Sequence, residues 1–286
     1  MYCGTKEGQI INVLRKNKET FEKSYIEEQA KLSNEHIIPF GLGGTLLFEK
    51  SSCQECARIT SQIEENVMRG FLYYPRVIGK LPTRNKKDRP KTIKLECIDK
   101  NESITLRDFN LDDAVSLLLL PALGQPGCML GVNYPANKIE IHGIHWKLLG
   151  KDAVKFFNDN DLSGLKVNTK LGVNDFLRLL AKIAYGYYVS VNGLFPKEQS
   201  PLLPIILGKK SKVDYSFLDF IGQDTQKNKE SINNPLHIIY TDQHDDKNSK
   251  VIAHSVSLQL FTDSNANNNF GKYIMFVRLQ PCSVLG

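Results

Sequence analysis

Glu35 and His36 stand side by side in Asn34-Glu35-His36-Ile37-Ile38-Pro39, with Gly43-Gly44 and then Cys53-Gln54-Glu55-Cys56 following closely. These residue types suit hydrolysis at a one-metal site. A carboxylate holds a divalent cation, while an imidazole of near-neutral pKa takes a proton from water. A Cys-x-x-Cys pair at the start of a helix can hold zinc and staple a small scaffold. An isolated Glu-His pair reads as an ordinary solvent-facing strand end. The glycine turn and the cysteines behind it are what favour chemistry.

The elements that must position these residues are legible in outline. Residues 32–38 read as a strand, Gly41, Gly43 and Gly44 as a turn, and 45–48 as a second strand. From Cys53 to about Ile78, the apolar positions Ile59, Ile63, Val67, Met68 and Phe71 follow helical spacing. Residues 11–31, with scattered Phe21, Tyr25 and Ile26, read as a loop or weak helix, and 81–90 as a linker. Strand, strand and helix around a metal is the expected module. On adjacent strand positions, Glu35 and His36 point to opposite faces unless the backbone bends.

Composition bounds the rest. The 286 residues suffice for one large domain or two ordinary ones, at 41% hydrophobic and 24% charged, as in soluble globular chains. The polar N-terminus lacks an apolar signal region, and Leu117–Gly124 is too short and proline-broken to span a bilayer. Cytoplasmic location without membrane attachment is the expectation. Six cysteines in such a chain point to metal or free thiols rather than disulfides. Residues 58–94 carry 10 Lys+Arg against 3 Asp+Glu, a basic stripe suited to a phosphate backbone. Its candidate nucleic-acid contacts are Arg58, Arg69, Arg76, Lys80, Arg84, Lys86, Lys87 and Arg89.

Beyond residue 91 the pattern predicts a mixed C-terminal domain, 91–286, after a module spanning 1–90, so the chain as a whole reads as α+β. Strands are expected at 92–98 and 138–144, and a helix at 173–191. A terminal hairpin is expected from 251–261 and 272–279, with exposed loops at 242–250 and 262–269. Leu117–Leu120 reads as core, and Cys97, Cys128 and Cys282 as buried thiols. His142 and His145 alternate on an expected strand, so a second metal there is disfavoured. No phosphate-cradling glycine motif supports nucleotide use.

Cys3-Gly4, the 32–39 and 41–44 segments, Ser52-Cys53-x-x-Cys56-Ala57-x-Ile59-Thr60 and Ile63-Glu64 together resemble bacterial HNH endonucleases. The branch with a long C-terminal extension is the most similar, and 176–186 and 203–208 resemble stretches found there. The resemblance implies an N-terminal ββα-metal module that cleaves DNA with His36 as general base and leaves a 5′-phosphate. Glu35 would be a ligand of one catalytic Mg²⁺ or Mn²⁺ stabilising the leaving 3′-oxygen. Many relatives carry the other ligand directly after the second cysteine, where Ala57 stands here. Ser61 and Glu64 lie on the same helical face, and Glu64 suits a hard cation better. Its alternative is a surface pair with Arg58 or Arg69.

Structural zinc would fall to Cys3, Cys53 and Cys56. Relatives supply two Cys-x-x-Cys pairs, so this pattern implies a start upstream of Met1, a three-cysteine site completed by another group, or no zinc. Defence against phage or mobile DNA is the family's habit. The C-terminal part is expected to recognise the target, bind a regulatory protein or a second copy, or restrain the nuclease. The alternative function is a catalytically degenerate relative that binds nucleic acid or another protein.

Overall fold

The computed structural model describes residues 1–16, 20–85, 87, 89–136, 138–150, 152–208, 216–225, 235–246, 251–262 and 270–281. The chain opens with a hairpin, not with a loop or weak helix. Strands β1 (Ile10–Lys16) and β2 (Lys23–Gln29) pair antiparallel from Ile10↔Gln29 to Lys16↔Lys23. Tyr25 and Ile26 are adjacent on β2 and both exposed, so neither face of β2 imposes an apolar period. The hairpin is held by backbone pairing, which leaves little trace in hydropathy.

Strands β3 (Leu32–His36) and β4 (Leu47–Cys53) then pair antiparallel and run into helix α1 (Gln54–Arg69). The second strand begins two residues later than expected. Leu46 belongs to the returning turn, where its carbonyl accepts Ile37 N–H at 3.0 Å. The single expected helix of 53–78 is two, α1 and α2 (Tyr73–Ile78). Gly70 leaves the helical region at ψ −127° while its N–H closes on Asn66 O. A glycine can take that backbone geometry without steric cost.

Next come β5 (Thr92–Asp99), β6 (Ile104–Asn110), β7 (Ser116–Ala122), α3 (Gly127–Leu130), β8 (Gly143–Leu149), α4 (Ala153–Asp159) and β9 (Leu162–Lys166). One sheet has the order β6-β5-β9, and β7 pairs with β8. The strand expected at 138–144 lies at 143–149 because β7 sets its register, from Ser116↔Leu149 to Ala122↔Gly143. The expected core run is β7, with Leu118 and Leu120 buried and Leu117 and Leu119 only partly so. Cys97 is buried, Cys128 is exposed, and Cys282 lies outside the described residues.

Helix α5 (Val173–Asn192) matches its apolar stripe, and α6 (Leu202–Leu207) follows. The last sheet, antiparallel in the order β10-β13-β12-β11, comprises β10 (Ile221–Gln223), β11 (His237–Asp246), β12 (Val251–Leu260) and β13 (Lys272–Pro281). The expected terminal hairpin is β12–β13. Residues 242–246, expected in a loop, continue β11, while 247–250 and 263–269 lie outside the described residues.

Helix α5 is buried on nearly every side because α1 covers one face and β12 and β13 another. The main core joins Ile63 and Val67 of α1 to Phe176 and Leu180 of α5 and to Tyr273 and Met275 of β13. It therefore crosses the 90/91 boundary without interruption. A smaller core gathers Leu95, Cys97, Phe156 and Leu162 beneath β5. The architecture is mixed α and β.

Candidate functional site

β3, β4 and α1 bring the expected site residues to one place, and α5 adds a residue that motif reading missed. Pairing slips between Ser33 and Glu35, where Asn34 alone stands opposite Glu49, Lys50 and Ser51, so the bulge lies on β4 with Lys50 at φ +44°. Beyond it, Glu35 turns inward at 7% exposure while His36 is half-buried, which puts the two side chains on opposite faces of β3. Glu64 sits one turn above Thr60 on the inner side of α1. Both carboxylates meet the ammonium of Lys182, Glu35 Oε1 at 3.1 Å and Glu64 Oε1 at 2.9 Å.

Lys182 lies midway along α5 and is fully buried. Its Nζ also donates to the carbonyl of His36 and, at 3.2 Å, to that of Ile37. Four oxygens therefore surround one cationic nitrogen. Such an arrangement compensates the desolvation of a charge that would otherwise be very costly to bury. The Tyr2 hydroxyl, also buried, has no hydrogen-bond partner among the described residues. Burial, then the charges of Glu35 and Glu64, hold its pKa well above the usual phenol value.

His36 leads into a tight turn that fixes where its imidazole emerges. Leu42 N–H and Gly44 N–H both close on Pro39 O, at 2.8 and 3.2 Å. Gly43 adopts φ +85°, and a Cβ on Gly44 would lie 1.9 Å from Ile38 O. The glycines are thus required by backbone geometry and close approach. Phe40 places its ring 5.6 Å from the imidazole. Arg76 donates to Gly41 O at 2.6 Å and to Met68 O at 3.1 Å, tying the turn to α1. From the last sheet, His237 Nε2 donates to Leu42 O at 2.7 Å, while its Nδ1 accepts Phe261 N–H at 3.3 Å. Burial lowers the pKa of His237, with the bond to Leu42 opposing.

The cysteines form the second cluster. Cys53 caps α1 and Cys56 lies in its first turn, so the Cys-x-x-Cys spacing turns both sulfurs the same way. Cys3 completes the group: all three sulfurs lie within 4.8 Å of one another, with Cys3 and Cys53 at 3.4 Å. Tetrahedral zinc with bonds of about 2.3 Å spaces its sulfurs by about 3.8 Å, so the cluster fits a metal. No fourth His, Cys, Asp or Glu joins it among the described residues. Burial raises the Cys3 thiol, but hydrogen bonds from Thr5, Cys53 and Cys56 outweigh it and bring the pKa to about 7. Burial and its two neighbours push Cys56 far up.

The basic stripe is less available than its composition suggests. Arg58 pairs with Glu55 at 2.8 Å and Arg69 with Glu65 at 2.7 Å, both exposed, and Lys80 pairs with Asp112. Arg76 is committed to the turn, and burial lowers its guanidinium pKa. Arg84, Lys87 and Arg89 are exposed, and Lys86 lies outside the described residues. Tyr73, Lys80 and Arg89 line one groove, where Tyr73 is 40% exposed.

No family model, curated protein or solved structure matches this chain. Lys182 and Tyr2 belong to no motif in the sequence, and His237 has no partner spacing that would single it out. Lys182 did leave a signal, since it is a lone cation within the apolar run Leu179–Tyr185. A charge in an all-round apolar helix is buried and must be paired. No helix among the described residues is long and apolar enough to cross a membrane.

Proposed function

We propose that the chain is an endonuclease of the HNH kind acting on DNA, with His36 as general base. The observation that supports this reading is the β3–turn–β4–α1 unit. It carries His36 at a rigid strand end, Glu35 and Glu64 beneath it, and a three-thiol cluster at the foot of the helix. In this reading, His36 takes a proton from water and the hydroxide attacks phosphorus. The bond to O3′ breaks, O3′ takes up a proton from solvent, and a 3′-hydroxyl and a 5′-phosphate are left. Zinc on Cys3, Cys53 and Cys56 would brace the start of α1. Arg84, Lys87 and Arg89 would meet phosphates, and residues 91–286 would recognise, oligomerise or restrain. A cytoplasmic setting belongs to the same proposal.

Mg²⁺ or Mn²⁺ on Glu35 and Glu64 is the remaining part of the family arrangement. As folded, the pair does not fit a divalent ion, because the Lys182 ammonium already fills the space between the carboxylates. That observation favours a second reading, a degenerate relative that binds nucleic acid without cutting it. Plasmid incubated with protein and Mg²⁺ or Mn²⁺ separates the two. Nicking supports the nuclease; a gel shift without nicking supports the degenerate reading. Binding in either case should weaken steeply with salt. The triple substitution Arg84→Ala, Lys87→Ala, Arg89→Ala should lower the slope of log K against log salt by about 2–3. A slope unchanged by that substitution places the contact elsewhere.

A further inference from the structure

Glu35 Oε1, Glu64 Oε1 and the carbonyl oxygens of His36 and Ile37 form a cage of four oxygens, two of them anionic, from β3, the residue that follows it and α1. Oxygens of this kind are the ligands that hard divalent cations prefer. At the centre of the cage stands the Lys182 ammonium, fully buried on α5. The two carboxylates and one ammonium leave a net negative charge, and the buried Tyr2 hydroxyl beside them has no partner among the described residues. We infer that Lys182 is a tethered cation that occupies a divalent-cation cage and competes with free metal for it.

The argument rests on position and charge. An ammonium held by its own helix has a high effective concentration at the cage, whereas a free ion must be dehydrated and must also displace it. With Lys182 in place, the cage takes no divalent ion at ordinary concentrations. Without it, the buried Glu35 carboxylate, the partly buried Glu64 carboxylate and two carbonyls face one another with no counter-charge. A divalent cation then becomes the favourable way to fill the space, since one uncompensated buried charge is strongly destabilising. This holds whether or not the chain cleaves DNA.

The test is Mn²⁺ binding to zinc-saturated protein, in which the thiols are already occupied. Lys182→Met should lower Tm in Mn²⁺-free buffer and regain stability with Mn²⁺, with a rise of about 5–10 °C once Mn²⁺ reaches about 100 times its Kd. The wild type should show no such rise, and adding Glu64→Gln to Lys182→Met should abolish it. Equal shifts in wild type and Lys182→Met, or a shift that survives Glu64→Gln, would overturn the inference. Should Lys182→Met not fold without Mn²⁺, recovery of its circular dichroism by Mn²⁺ supports the proposal. Should it stay unfolded with the ion, an electron paramagnetic resonance titration of the wild type decides. Mn²⁺ binding that Glu64→Gln leaves unchanged agrees with the inference, and a tight site lost in Glu64→Gln contradicts it.

Discussion

Cys3, Cys53 and Cys56 divide their labour through their surroundings. Hydrogen bonds favour the Cys3 thiolate despite burial, whereas burial and two sulfur neighbours keep Cys56 protonated. The Cys3 value of about 7 is below that of an ordinary thiol, so the folded state favours its thiolate. Its contribution to stability is present above the ordinary thiol pKa and is lost as pH falls through about 7. In metal-free protein, alkylation of Cys3 by iodoacetamide should rise with a midpoint near pH 7 and leave Cys56 unmodified. Zinc should protect Cys3, because a coordinated thiolate is withdrawn from attack. Mass spectrometry of the peptides reads all three outcomes. Equal labelling of Cys3 and Cys56 would contradict the picture. The same scale holds the clearest limit of motif reading. Glu35, His36, Glu64 and the three cysteines were legible from spacing, but Lys182 lies 146 residues from His36 and no local pattern joins them.

At the scale of elements, the turn after His36 is held from two sides, by Arg76 of α2 and by His237 of β11. Gly44→Ala should cost about 2–4 kcal/mol, because its Cβ would be driven into Ile38 O. Urea denaturation measures this, and a loss under about 0.5 kcal/mol would mean the turn relaxes freely. His237 adds a pH dependence. Its folded pKa lies below the ordinary value, so its stabilising contribution is full above about 6.5 and declines as pH falls below. Protonated Nδ1 would also confront the Phe261 N–H that it now accepts. The wild-type Tm should therefore fall on acidification below about pH 6.5 more steeply than that of His237→Gln. Parallel curves would remove His237 from the account. Helix α1 was legible because its one buried face imposes a period, and α5 and β12 because extensive burial leaves long apolar runs. The β1–β2 ribbon, with β2 exposed almost throughout, was not. The start of β8 escaped for another reason, since its register is set by β7 and not by its own alternation.

Across the whole molecule, a β3–turn–β4–α1 unit leans on a helix from the second half of the chain, and α5 serves core and candidate site at once. Composition indicated a break near residue 90. The hydrophobic core instead runs from α1 through α5 into the last sheet, which sequence pattern cannot reveal because the pairing of distant faces leaves no local trace. This arrangement ties the candidate site to α5: Lys182 holds the Glu35 side chain and the carbonyls of His36 and Ile37 at the end of β3. It also separates two roles, since the Lys182 cage lies on the inner face of β3 while His36 faces outward. Loss of His36 should therefore remove proton transfer and leave the fold and the buried charges intact. The decisive measurement is the rate of supercoiled-plasmid nicking by wild type and by His36→Ala, both zinc-loaded and shown to share one Tm. A fall of about 100-fold or more, with DNA binding unchanged, is the expected result. Equal nicking by the two proteins would contradict the assignment of His36 as the base.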